Sequence, residues 1–97
     1  MNESLISVRY AKALFQSALE KDMLDRVYQD MDLLSETCRM DEFQFMLNLP
    51  FMQAGRKFRL VNSLLEKHLS GLSISMIHLA IRNKRENYLA GIARSEE

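Results

Sequence analysis

Among the side chains that could hold a metal ion or attack a substrate, this 97-residue chain has two histidines and one cysteine. No cysteine or carboxylate lies at the helical spacing that would complete a metal site with His68 or His78. No recognisable histidine partner could act as a base for Cys38 or for a serine, so nucleophilic catalysis has no support. We therefore expect His68 beside a helix end, His78 partly exposed on a helix, Cys38 in the core, and no catalytic or metal-binding residue.

A short basic cluster, formed by Arg82, Lys84 and Arg85, could contact phosphate. One hypothesis is a small helix-turn-helix domain that binds nucleic acid through these residues. Against it, the chain has 13 basic and 13 acidic side chains and a formal net charge of +0, whereas nucleic-acid binders carry a basic excess. The chain has no Gly-x-x-x-x-Gly-Lys phosphate loop, so we expect no nucleotide bound by that route and no cofactor. A small helical enzyme or ligand carrier would need convergent polar groups in a pocket, and none is evident.

Length and composition predict one helical domain without a membrane span. Residues 1–97 fall within the size range of a single domain, and hydrophobic residues make up 47% of the chain. No run reaches the roughly 18 apolar residues that a membrane span needs, and no secretory signal or transit peptide is recognisable. The single cysteine excludes an internal disulfide, which fits a reducing compartment.

Helices are predicted throughout, because glycine and proline are rare and no stretch alternates apolar and polar residues as a strand would. The predicted fold class is all-α, a compact bundle of about six helices. Asp22 is expected to cap the second helix and Asp41 a short third helix that ends before Pro50, while Gly71 is expected to end the fourth. The first, fourth, fifth and sixth helices are predicted over about 4–21, 54–68, 72–83 and 85–94. The spacing places in the core Phe15, Leu24, Val27, Tyr28, Met31, Leu34, Cys38, Phe43, Met46, Leu47, Phe58, Val61, Leu64, Leu65 and Ile77.

The first and fifth helices each carry a second apolar row. At about 100° per residue, one broad side of the first helix holds Val8, Ala11, Leu14, Phe15, Ala18 and Leu19. A polar strip separates that side from a second row, which consists of Ile6, Tyr10, Ala13 and Ser17. In the fifth helix, Ile74, Ile77 and Ile81 share one face, and the nearly opposite face holds Leu72, Met76, Leu79 and Asn83.

Two interpretations of these second rows remain open. The rows could be core, because a helix in the middle of a bundle is covered on two sides. Alternatively, if the two helices lie side by side, the rows would line one groove that accepts an amphipathic helix. Small residues such as Ala13 and Ser17 would allow close approach, and Met76 could adapt its shape. Periodicity alone favours neither interpretation.

Four segments resemble the delta subunit of bacterial ATP synthase, called OSCP in mitochondria. The stretch Ser7–Phe15 is similar to the opening motif of that family, and Asn83–Glu86, followed by Leu89 and by Ile92–Arg94, is similar to the end of its fifth helix and to its sixth. Pro50-Phe51 resembles the family's proline turn, and Arg56-Lys57 the basic start of its fourth helix. The segments occur in the family's order over almost the whole chain, whereas residues 38–49 carry no family signature.

The resemblance implies a fold, a function and partners. Residues 1–97 would be the N-terminal domain, a six-helix bundle whose first and fifth helices receive the N-terminal helix of an alpha subunit. The protein would be a non-catalytic stator connector between the catalytic head and the peripheral stalk. It would lie peripherally at the cytoplasmic face of the bacterial inner membrane. The family's C-terminal region, which engages the stalk b subunits, is expected to be absent, so no residue here is assigned to b. The expected alpha-binding residues are Ile6, Tyr10, Ala13, Ser17, Leu72, Met76, Leu79 and Asn83.

Overall fold

The computed structural model describes the backbone of residues 2–95 and the side chains of residues 5–95. Within this part of the chain the secondary structure is helical and contains no strand, so the all-α prediction is confirmed. The six α-helices are α1 (Asn2–Glu20), α2 (Leu24–Cys38), α3 (Asp41–Leu47), α4 (Ala54–Leu65), α5 (Gly71–Arg82) and α6 (Leu89–Arg94). A short 3₁₀ helix, Glu86–Tyr88, leads directly into α6.

The helices enclose one apolar core. The short helix α6 packs against both α1 and α2, while α5 packs against both α1 and α4. The largest fully buried apolar side chains come from five of the helices and are Val27, Met31, Leu34, Leu47, Val61, Ile77, Ile81, Leu89 and Ile92. Because α1 contacts α2, α5 and α6, it has neighbours on more than one side.

The predicted cap at Asp22 is wrong, because Asp22 ends α1 instead of starting α2. Its φ of 57° lies in the left-handed region, which Asp tolerates better than most residues. The N–H of Met23 donates to the carbonyl of Ala18 at 2.8 Å, which is the six-to-one bond of a Schellman motif. The N-cap positions of α2 and α3 are occupied by Met23 and Met40, neither of which caps its helix with a side chain. Asp41 is the first residue of α3, so the predicted cap at Asp41 is also wrong.

Gly71 also has a different role from the predicted one. The helix α4 ends at Leu65, and Gly71 is the first residue of α5. Ser70 is the N-cap of α5, and its hydroxyl accepts from the N–H of Ser73. A serine can satisfy an unpaired N–H at a helix start, whereas glycine cannot, so the Ser-Gly pair marks a beginning here.

Several residues predicted for the core lie at its edge, among them Leu24 and Met46, which are half-buried. Met31, Leu65 and Ile77 are buried, and Phe15 and Phe58 are half-buried against the core. Tyr28 is 39% exposed, with its ring 4.9 Å from that of Phe15 between centroids. A tyrosine can pack its ring at the edge of a core because its hydroxyl favours contact with water.

Leu64 corrects the prediction for α4. It is 55% exposed, whereas Val61 and Leu65 of the same helix are buried. The helix α4 buries only one side, and the row that contains Leu64 faces an open groove beside α3.

The close packing of α6 on α1 leaves no space for a Cβ at position 91 unless Ser7 shifts. A Cβ built on Gly91 would lie 2.6 Å from Oγ and 3.3 Å from Cβ of the buried Ser7. We expect Gly91→Ala to lower the free energy of unfolding by about 1–3 kcal/mol, as overpacking does. Urea unfolding followed by circular dichroism measures the change.

A double-mutant cycle tests whether the contact with Ser7 is the cause. In the Ser7→Ala background the closest clash is absent, so Gly91→Ala should cost much less there than in the parent chain. Gly55→Ala in α4 is the matched control, because the nearest atom is 4.0 Å away at the flexible end of Arg59. Equal costs of Gly91→Ala in both backgrounds would contradict this explanation.

Candidate partner-binding groove

The central strip of α1 is buried, and a partly open row lies beside it. Ser7, Ala11, Leu14 and Ala18 form the buried strip. In the second row, Ile6, Tyr10 and Ser17 are half-buried and Ala13 is exposed. The row is therefore neither core nor fully solvated surface.

The corresponding row of α5 is mixed. Leu79 is 42% exposed and Asn83 is exposed, while Leu72 is half-buried. Met76 is only 7% exposed, so it can contribute to the floor of a groove but not to its rim. This burial follows from the position of Met76 one turn before Ala80, which is buried on the same side of the helix.

The two rows lie on helices that pack against each other. The amide Nδ2 of Asn83 donates to the hydroxyl of Tyr10 at 2.9 Å, across 73 positions of sequence. This bond joins one residue of each row and is exposed to solvent. Ala13 and Leu79, the most open apolar members of the two rows, each lie about one turn from this polar bridge along their own helices.

A buried carboxylate from α2 determines where α5 begins. Oδ2 of Asp30 accepts from the backbone N–H of Ser70 at 3.0 Å, from the Ser70 hydroxyl at 2.6 Å and from the Ser73 hydroxyl at 2.7 Å. Oδ1 accepts from Nε of Arg26 at 3.1 Å. A carboxylate at a helix N-terminus is also favoured by the helix dipole.

Asp30 was not predicted as a site residue, although the sequence contains a signal for it. Asp30 lies three residues after Val27 and four before Leu34, in the middle of the apolar face of α2. A charged residue on a buried face needs partners, and the Ser70-x-x-Ser73 pattern supplies hydroxyl donors for it.

A second buried polar pair was also missed. Nζ of Lys57, on the buried side of α4, donates to Oε2 of Glu86 at 2.7 Å and to the carbonyl of Leu47 at 2.7 Å. It also lies 3.3 Å from the carbonyl of Leu49. These bonds tie the loop after α3 to the 3₁₀ helix before α6. Lys57 therefore acts as a structural link within the bundle.

The histidines and the cysteine fall where the sequence placed them. His68 lies just beyond the end of α4, and His78 is exposed on α5 with its ring stacked on Phe58 at 4.0 Å between centroids. Cys38 is buried, and burial raises the pKa of its thiol to about 11, so the thiol stays protonated near neutral pH. Among the residues described, no three or more His, Cys, Asp or Glu side chains are grouped so as to hold a metal ion.

The basic cluster does not form a DNA-reading face. Arg82 is the last residue of α5, while Lys84, with φ of 60°, and Arg85 lie in the turn that follows. The N–H of Arg85 donates to the carbonyl of Ala80 at 2.7 Å, which closes the end of α5. A recognition helix presents its reading residues along one face, and a helix end followed by a turn does not.

Comparison with known proteins decides the family. Residues 6–96 match the family described as ATP synthase delta (OSCP) subunit. The chain belongs to this family. The resemblance seen in the four segments is therefore confirmed over nearly the whole sequence.

Individual relatives carry the same description. A protein of Desulforamulus reducens named ATP synthase subunit delta is 32% identical over 94 residues, covering 96% of this chain and 52% of the relative. A protein of Parabacteroides distasonis with that name is 35% identical over 94 residues, again covering 96% of this chain and 52% of the relative. The chain thus spans about half the length of the curated relatives it matches. From residue 2 to residue 95, no helix is long and apolar enough to cross a membrane.

Proposed function

We propose that this chain is a non-catalytic stator connector of a rotary, proton-translocating ATP synthase. It binds the N-terminal helix of an alpha subunit in the α1/α5 groove, which we define by the second rows of the two helices. The observation that carries the proposal is the pairing of two partly open apolar rows in a member of the delta family. Mechanically, the connector keeps the head from turning with the rotor, which requires tight binding and no bond chemistry.

The proposed partner fits the surface of the α1/α5 groove. The exposed methyl of Ala13 lets a helix backbone approach closely, and the exposed part of Leu79 offers apolar area to its apolar side. The exposed Tyr10–Asn83 hydrogen bond offers polar groups to a side chain of the partner, and that contact would fix the position of the partner helix along the groove. We place the complex peripherally at the cytoplasmic face of the bacterial membrane, and we assign the b subunits of the stalk to a region outside these residues.

The decisive experiment is a titration of this chain with a peptide that matches the alpha N-terminus. Isothermal titration calorimetry gives the affinity, and circular dichroism reports the helix that the peptide forms on binding. Failure to bind at millimolar peptide would contradict the proposal. The helix-turn-helix hypothesis has no observation in its favour, and it would require DNA binding that weakens steeply with salt.

Leu79→Asp should separate binding from folding. Burial of a leucine contributes about 1.5–3 kcal/mol, and an unpaired carboxylate in a closed interface adds a desolvation cost, so affinity for the peptide should fall at least about tenfold. Because Leu79 is already 42% exposed in the free chain, the free energy of unfolding should change far less. Calorimetry and urea unfolding measure the two quantities.

Leu19→Asp is the matched control, because Leu19 is 61% exposed on the other flank of α1. Its affinity for the peptide should equal that of the parent chain. If Leu79→Asp unfolds the domain, the residue belongs to the core, and if both variants bind normally, the α1/α5 groove is not the site.

A further inference from the structure

Hydrogen-bond donors gather where the Tyr10–Asn83 bond crosses the α1/α5 groove. In this bond the hydroxyl oxygen of Tyr10 accepts from Nδ2 of Asn83, and the pair is exposed to solvent. The hydroxyl proton of Tyr10 therefore stays available, and no residue in the described part of the chain accepts it. A partner that covers the groove removes this proton from water, so the partner must bring an acceptor.

Two arginines border the groove beside this bond. Arg9 directly precedes Tyr10 on α1 and Arg82 directly precedes Asn83 on α5, so each lies about 100° around its helix from the bonded residue. In both helices this displacement leads away from the buried side, which is the buried strip in α1 and Ala80 in α5. Both arginines are exposed, and they form the two rims of the groove at this point.

The described acidic side chains do not neutralise these arginines. Neither Arg9 nor Arg82 forms a salt bridge with a residue between 5 and 95. Glu86, the first acidic residue after α5, is paired with Lys57 at 2.7 Å. Glu3 comes six residues before Arg9, which is outside the spacing of three or four at which helix neighbours meet. The rims beside the bond are therefore positively charged.

The two ends of the groove differ in charge. The exposed Lys84 and Arg85 lie in the turn after α5 and add positive charge near the bond. The last carbonyls of α5 accept from backbone N–H groups of this turn, which reduces the negative charge of the helix end. Beyond the C-terminal end of the α1 row, the exposed Glu20, Lys21 and Asp22 carry both signs. An acidic group of a partner is therefore favoured at the end that holds the bond.

From these donors, and resting on the proposed function, we infer that the α1/α5 groove contains a subsite for a carboxylate of the docked alpha helix. An aspartate or glutamate of that helix accepts from the Tyr10 hydroxyl, and Arg9 and Arg82 supply its counter-charge from the two rims. Guanidinium groups present several N–H donors in a geometry that matches a carboxylate. The partner must therefore carry an acidic residue beside its apolar face, and this residue fixes the direction in which the helix lies.

A double-mutant cycle across the interface tests the subsite. The probes are the peptide that matches the alpha N-terminus and variants in which each acidic residue is replaced in turn by its amide. At low salt, calorimetry should show that one replacement lowers the affinity for the parent chain about fivefold. In the double variant Arg9→Gln/Arg82→Gln the same replacement should change the affinity less than about twofold, because the charges that it faced are gone.

Single variants divide the effect among the three donors. Arg9→Gln and Arg82→Gln should each lower the affinity for the unmodified peptide about threefold at low salt. Tyr10→Phe keeps the ring and removes the donor, so it should lower the affinity by a similar factor. Lys12→Gln is the matched control, because Lys12 is an exposed cation on the side of α1 that faces α2. It should change the affinity less than about 1.5-fold.

The amide peptides distinguish a missing subsite from a missing groove. If all peptides bind the parent chain equally tightly, the carboxylate subsite is overturned while the groove remains. A loss on amide replacement that persists in Arg9→Gln/Arg82→Gln would also overturn it, because the carboxylate would then contact another group. If no peptide binds, the proposed function fails and the subsite fails with it. Inorganic phosphate that binds the parent chain but not Arg9→Gln, with equal affinity for all peptides, would overturn the subsite in favour of a free anion.

Discussion

Asp30→Ala is expected to lower the free energy of unfolding by about 3–5 kcal/mol. The variant removes the acceptor of three donors at the start of α5, namely the N–H and hydroxyl of Ser70 and the hydroxyl of Ser73. Each buried donor left without an acceptor costs about 1–3 kcal/mol, and the two hydroxyls recover part of this by rotating. Arg26 adds little, because its side chain is 48% exposed and solvent screens the ion pair.

Two further variants keep this prediction testable if Asp30→Ala does not fold. Asp30→Asn keeps the volume and one acceptor oxygen but loses the charge-assisted bonds, so we expect a cost of about 1–2 kcal/mol. Asp32→Asn, at an exposed position of the same helix, is the control and should stay within about 0.5 kcal/mol. Urea unfolding measures all three. If Asp30→Asn and Asp32→Asn cost the same, the carboxylate is not what holds α5.

Ala13→Leu is expected to weaken binding of the alpha N-terminal peptide by up to about a hundredfold. Ala13 is exposed in the middle of the second row of α1, so a leucine there has room in the free chain but occupies space that a docked helix would need. Overpacking of this kind costs about 1–3 kcal/mol, and its upper end corresponds to that loss of affinity. The free energy of unfolding should hardly change, since leucine is also a good helix former.

Gln16→Leu is the control for Ala13→Leu, because it adds a leucine to the exposed polar strip of α1 and not to the second row. Its affinity for the peptide should match that of the parent chain. Titrations at low and high salt complete the test, since contacts in an apolar groove on a chain of net charge +0 should survive added salt. Equal affinity of the Ala13→Leu and parent chains would remove Ala13 from the site, and binding that disappears in salt would show that the contact is electrostatic.

Apolar periodicity was enough to predict the helices and much of the core. Met31, Leu65 and Ile77 are buried where their three- and four-residue spacing placed them. Helix ends were predicted less well, because a residue such as Asp22 can cap a following helix or close a preceding one. Which of the two occurs depends on the direction in which the chain must turn to pack, and local sequence does not contain that direction.

For the candidate site too, periodicity predicted one part and the packing of the helices decided another. Its rows on α1 and α5 could be read from helical periodicity, and the assignment of the eight residues to a partner stays a prediction. The burial of Met76 and the exposure of Leu79 depend on how α1 and α5 pack. Periodicity defines the faces of one helix, but the neighbour that covers each face is chosen by the packing of the whole bundle.

The sequence alone determined the helical class, the alternation of apolar and polar faces, and the family to which the chain belongs. The tertiary structure decided that α1 and α5 lie side by side, joined through Tyr10 and Asn83, and that Asp30 meets Ser70 and Ser73 across forty or more positions. The physical reason is the sequence separation over which each interaction acts. Helix formation depends on residues within one or two turns, whereas a buried carboxylate is stable only when distant parts of the chain bring it donors.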